Sequence, residues 1–174
     1  MIAVAGQSNA EGLAVQLASA LGIEVLDWAV PGATLLNVGP PNEWNWVDGA
    51  KAKIGDAKPD IVWWIQGESE ALWGPVAESQ YGQAMMKLRI IFACPMMISP
   101  ISAPHAVYLY SRPVLAAQYR LCTDFASMGF VLGPEYYDLE HCTPGPPAEY
   151  GQHLTERGRI DFANRAADRL RSLL

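Results

Sequence analysis

The sequence predicts an α/β fold, a three-layer α/β/α sandwich around a central, mostly parallel sheet of five strands. Two observations carry that prediction. Short apolar runs alternate with segments whose apolar residues recur at helical spacing along the whole chain. The runs are rich in β-branched and aromatic residues with little polar alternation, as strands covered on both faces must be. A length of 174 residues, 51% of them hydrophobic, suffices for one domain with a substantial core and is too short for two of ordinary size, so residues 1–174 read as a single domain.

In chain order, the predicted strands are residues 2–5, 23–28, 60–66, 95–101 and 130–136, the most apolar stretches bounded by turn residues. Helices are predicted over 10–21, 78–90, 113–128 and 156–174, with a shorter one over 47–54. Pro113 suits a first helical turn, and Thr155 has the chemistry of an N-cap for the last helix. Three loops rich in turn residues, 31–46, 67–75 and 138–152, each follow a predicted strand. They therefore gather at the carboxyl edge of the sheet, where open α/β folds place their sites.

Composition narrows the function. A formal charge of −6 and a pI near 5.0 disfavour a phosphate-tracking surface, because nucleic-acid binding draws on clustered Lys and Arg. No nucleic-acid partner is predicted. Cys94, Cys122 and Cys142 are odd in number and widely spaced, which suggests neither a disulfide framework nor a zinc site; free thiols are expected. Met1 leads straight into an apolar strand with no basic leader, and no apolar run approaches the roughly 18 residues of a membrane span. The expectation is a protein without signal peptide or membrane partner, in the cytoplasm or in a larger particle.

Three blocks carry chemistry. The first strand runs into Gly6-Gln7-Ser8-Asn9, placing the Ser8 hydroxyl at a strand tip with a helix start behind it, where backbone N–H groups can stabilise an oxyanion. The same four residues could equally form a strand-to-helix turn capped by serine or asparagine. The third strand ends in Gln66-Gly67-Glu68-Ser69-Glu70: Gln66 can donate to a developing negative oxygen, and Glu68 can accept from an imidazole. The plainer alternative is a solvated loop. His153 stands just ahead of the last helix, where a capping or surface role is the common one, and His105 and His141 have equal claims on composition. Together, a hydroxyl, an amide with a carboxylate and an imidazole at one sheet edge are the parts of a nucleophile, base and orienter in the chain order Ser, Glu, His.

The blocks GQSNAEG at 6–12, VPGAT at 30–34, WIQGESEA at 64–71 and HLTERGR at 153–159 make the chain resemble the SGNH hydrolase superfamily. Within it they resemble the sialate O-acetylesterase-like and acetylxylan esterase group, carbohydrate esterase family 6. The resemblance implies a flavodoxin-like SGNH fold, with Ser8 as nucleophile and His153 as general base. It also implies an oxyanion hole made of the Ser8 N–H, the Gly32 N–H and the Gln66 side chain. Many SGNH enzymes carry an aspartate three residues before the histidine; here that position is Tyr150. The resemblance gives the orienting role to Glu68 instead, with Glu149 and Asp138 as alternatives in the loop leading to His153.

The activity implied is hydrolysis of an acetyl ester on a small molecule or glycan through an acyl-enzyme, with no metal or organic cofactor. Trp44, Trp46 and Trp73, in loops at the same edge, either stack on a sugar or anchor their loops to the core. Two other readings remain: an SGNH lipase or thioesterase acting on longer acyl esters, and a catalytically silent carbohydrate-binding or structural domain, for instance of a phage particle.

Overall fold

The computed structural model describes residues 1–38, 44–101, 110–140 and 153–173. Five parallel strands form one sheet: β1 (Ile2–Gly6), β2 (Val25–Ala29), β3 (Ile61–Ile65), β4 (Met96–Ser99) and β5 (Phe130–Leu132), in the order β2-β1-β3-β4-β5. The registers Ile2↔Val25 and Ile2↔Ile61 put β1 between β2 and β3. The chain after β1 therefore turns to one side of the sheet, and the chain after β3 turns to the other. Connections that diverge in this way open a crevice at the carboxyl ends of β1 and β3, the switch point at which such sheets bind ligands.

Strand residues alternate between two apolar clusters because successive side chains point to opposite faces. Ala3, Ala5, Val62 and Trp64 face one cluster with residues of α2 (Trp46–Ile54), α4 (Glu78–Phe92) and α5 (Ser111–Asp124). Ile2, Val4, Ile61, Trp63 and Ile65 face the other with α1 (Leu13–Leu21) and α6 (Glu156–Arg171). β1 and β3 are buried throughout, which accounts for their unbroken apolar sequences. Among the described residues no helix is long and apolar enough to cross a membrane.

Several boundaries differ from the sequence expectation. The first predicted helix begins at Leu13, since Ser8–Ala10 form a separate 3-10 turn and Gly12 takes a positive φ of 75° between them. The stretch expected as a loop at 67–75 contains a short helix, α3 (Glu68–Trp73), set off by Gly67 and ended at Gly74. The last strand stops at Leu132 rather than 136: Gly133 and Pro134 follow, and a proline cannot donate to a continuing ladder. Thr155 caps α6 as expected, its side chain accepting from the Gly158 N–H at 3.0 Å.

Candidate active site

β1 delivers Ser8 because its end is pressed against β3. Gly6 has φ 145°, and a Cβ there would lie 1.8 Å from the Ile65 carbonyl oxygen, so only glycine allows this approach. The Gln7 N–H then donates to the same carbonyl at 3.1 Å, and Ser8 opens the 3-10 turn, half-buried. Its Oγ stands 2.9 Å from His153 Nε2, across 145 residues of chain.

The imidazole is exposed, but the backbone that follows it is tied down. The next side chain, Leu154, is buried in the core of the α1–α6 layer. The Leu154 N–H donates to Asn9 Oδ1 at 3.3 Å, and its carbonyl accepts from Arg159 Nη1 at 3.1 Å. Thr155 donates from its N–H to the Glu140 carbonyl at 3.1 Å and from Oγ1 to Glu140 Oε2 at 2.8 Å. The cap of α6 thus holds a histidine that has little packing of its own.

Glu68, at the start of α3, is 4% exposed. Its Oε1 accepts from Asn9 Nδ2 at 2.8 Å and from the Tyr136 hydroxyl. Among the described residues its buried Oε2 has no hydrogen-bond partner. Among the described residues no hydrogen bond joins Glu68 to His153. Gly67 makes the turn into α3 possible: it has φ 137°, and a Cβ would lie 2.8 Å from both Ile101 Cγ2 and Val114 Cγ1.

Gln66 is completely buried, and its Nε2 donates to Glu70 Oε2. Its carbonyl accepts from the Tyr81 hydroxyl at 2.9 Å and from Gln118 Nε2 at 2.8 Å. Glu70 is also wholly buried, and its Oε1 accepts from the Leu35 N–H and, at 3.1 Å, from the Leu36 N–H. Burial pushes its carboxyl from the usual 4.5 to about 7, against the opposing pull of these donors. Burial first, and the nearby Glu70 charge second, push the Tyr81 phenol upward. Glu70 thereby fastens the loop after β2, which carries Gly32, to the Gln66 side chain. Gly32 itself is exposed, with φ 72° and nothing close to a Cβ position.

Of the other expected residues, Asp138 makes a two-pronged ion pair with Arg165 at 2.7 and 2.8 Å, which holds its carboxyl below the usual range. It makes no bond to His153. Glu149 and Tyr150, with His105, His141 and Cys142, lie outside the described residues. Trp46 is fully buried and meets Trp64 edge-on at 5.1 Å, so it anchors its loop; Trp73 is half-exposed. Asn9, weighed from the sequence only as a helix cap, instead bonds Glu68 and the Leu154 N–H, and no motif marked Tyr136, Tyr81 or Gln118.

Ser8 and His153 open into a cleft of about 430 Å³ lined also by Glu11, Thr155, Glu156 and Arg159, within the range of small-molecule sites. A second depression shares Glu11, Glu156 and Arg159 with it and reaches Val15 and Gln16 along the start of α1.

No protein-family model matches the chain, and no curated protein sequence does. Solved structures do. The fold is similar to TesA, with a TM-score of 0.74 at 18% identity over 99% of each chain. It is similar to the inhibitor-bound aryl esterase of M. smegmatis, TM-score 0.72 at 16% identity over 99% of each chain. It is also similar to Est24, a carbohydrate acetylesterase from Sinorhizobium meliloti, TM-score 0.72 at 14% identity over 99% of each chain. These neighbours are SGNH hydrolases, and the chain shares their α/β fold.

Proposed function

We propose that this chain is a serine esterase that removes O-acetyl groups from a carbohydrate, with Ser8 as nucleophile, His153 as general base and Glu68 as the orienting carboxylate. One observation carries the reading: a hydroxyl and an imidazole from opposite ends of the chain meet at 2.9 Å at the switch point of the sheet. A nucleophile and base within hydrogen-bond reach are what acyl transfer requires first.

His153 Nε2 takes the Ser8 proton as Oγ attacks the acetyl carbonyl, and the tetrahedral oxyanion that results is met by the N–H groups of Ser8 and Gly32 and by the second N–H of Gln66 Nε2. His153 then returns the proton to the departing sugar oxygen, leaving an acetyl-enzyme that water hydrolyses by the same route. An imidazole that becomes charged needs an acceptor for its Nδ1–H. Among the described residues Glu68 Oε2 is a buried acceptor without a partner, and such a carboxylate oxygen is costly unless a donor meets it. That vacancy supports Glu68 over Asp138, whose carboxylate is committed to Arg165.

The walls of the cleft favour a hydroxylated leaving group. Glu11, Thr155, Glu156 and Arg159 offer hydrogen-bonding groups beside the catalytic pair, with Leu154 adding apolar surface to the same cleft. The likeness to Est24, described as a carbohydrate acetylesterase, points the same way. The motif resemblance to the sialate O-acetylesterase-like and family-six group belongs to this proposal, as does a single catalytic domain over 1–174. The chemistry calls for no cofactor.

Acetate release from a set of acetylated glycans, beside a p-nitrophenyl ester series, tests the reading. Release by the wild type and none by Ser8→Ala, with a preference for acetyl over longer chains, supports it. Rising activity with chain length, or an unaffected Ser8→Ala variant, contradicts it.

A further inference from the structure

We infer that Asn9 and Tyr136 are positioning residues for acyl transfer: together they pin one oxygen of Glu68, and Asn9 ties that carboxylate to the backbone beside His153. The inference rests on the esterase reading above. Asn9 follows Ser8 within the same 3-10 turn and is 3% exposed. Its amide Nδ2 donates to Glu68 Oε1 at 2.8 Å, and its Oδ1 accepts from the Leu154 N–H at 3.3 Å. A single side chain therefore joins the nucleophile's turn, the carboxylate and the histidine's loop.

Tyr136 completes the arrangement from the other side. It is fully buried, its ring lies 4.7 Å from Phe162 of α6, and its hydroxyl donates to the same Oε1. With Oε1 held by two donors, the carboxylate cannot rotate freely, and Oε2 keeps one direction. Such support is what turns a carboxylate near a histidine into one that orients it.

The test is a kcat and KM profile against pH with p-nitrophenyl acetate for wild type, Tyr136→Phe, Asn9→Ala and Asn9→Asp, with Ser8→Ala alongside. Tyr136→Phe keeps the ring and its packing and removes one hydrogen bond to a carboxylate, so kcat falls roughly tenfold with KM changing less than about twofold. Its acidic limb moves to higher pH, because a carboxylate stripped of a donor favours the imidazolium. Asn9→Asp keeps an acceptor for Leu154 and loses the donor to Glu68, and its kcat falls at least as far; Asn9→Ala loses both and falls further. Glu11, Glu156 and Arg159, which line the cleft with His153, and buried Glu70 beyond Gln66 are common to every variant, so the displacement from wild type is the readout.

Should Asn9→Ala fail to fold, Tyr136→Phe and Asn9→Asp decide the matter. Folded variants with wild-type kcat and an unmoved acidic limb, beside an inactive Ser8→Ala, overturn the positioning role and leave the esterase reading standing. A loss of kcat with no movement of the acidic limb also overturns it, in favour of a purely structural role. An active Ser8→Ala removes both.

Discussion

Glu70 makes the stability of this protein depend on pH in a direction opposite to that of a salt-bridged carboxylate. Its folded value lies near 7 and its ordinary one at 4.5, so between those pH values the native chain keeps a proton that the unfolded chain has released. Stability therefore falls as pH rises through this window, and above about 7 the cost is fully present. The displacement is worth roughly 3 kcal/mol at about 1.4 kcal/mol per pH unit; the side chain is completely buried, so solvent does not screen it. Glu70→Gln approximates the protonated acid at every pH, keeping an acceptor for the Leu35 and Leu36 N–H groups. Urea unfolding at pH 5, 6, 7 and 8, followed by the fluorescence of buried Trp46, Trp63 and Trp64, gives both curves. The variant gains on wild type by roughly 2.5 kcal/mol from pH 5 to pH 8, the remainder of the effect lying below pH 5. Parallel curves, or a gain on the acid side, refute the assignment of a raised carboxyl to Glu70.

Two other substitutions check separate parts of the structure. Gln66→Ala removes the proposed oxyanion donor together with the partner of Glu70, and kcat for p-nitrophenyl acetate falls by about 10²–10³ while KM changes little; a loss confined to KM speaks against the donor role. Thr155→Ala deletes the cap on the Gly158 N–H and the bond to Glu140 Oε2, lowering stability to urea by about 1 kcal/mol; an unchanged midpoint shows that the cap is not holding the start of α6.

The sheet was legible because its physics is local. Strands buried on both faces must be apolar without alternation, and Ile61–Ile65 is that pattern in five residues. The cap at Thr155 was legible for the same reason, since a threonine before a helical period satisfies its own end. Short elements were harder. Glu68–Trp73 follows a glycine and precedes another, a composition that suits a loop as well as it suits one and a half turns of helix. The site was readable as three blocks at one edge but not as a network. Glu70 meets the Leu35 N–H across 35 residues and Tyr136 meets Glu68 across 68, and no spacing rule reports contacts that exist only once the sheet has formed. Gln66 was read as an open donor, whereas tertiary packing engages one of its N–H bonds with Glu70. Asp138 looked like a partner for the histidine until α6 supplied Arg165, which claims both of its oxygens.

Reaction with a fluorophosphonate, read as the mass of the intact protein and mapped by peptide, measures whether the Ser8 hydroxyl is an activated nucleophile. Stoichiometric modification at Ser8, abolished in Ser8→Ala and slowed by orders of magnitude in His153→Ala, is the result the geometry predicts. Folded wild-type protein that takes up no label at Ser8, or takes it up as fast without His153, would contradict it.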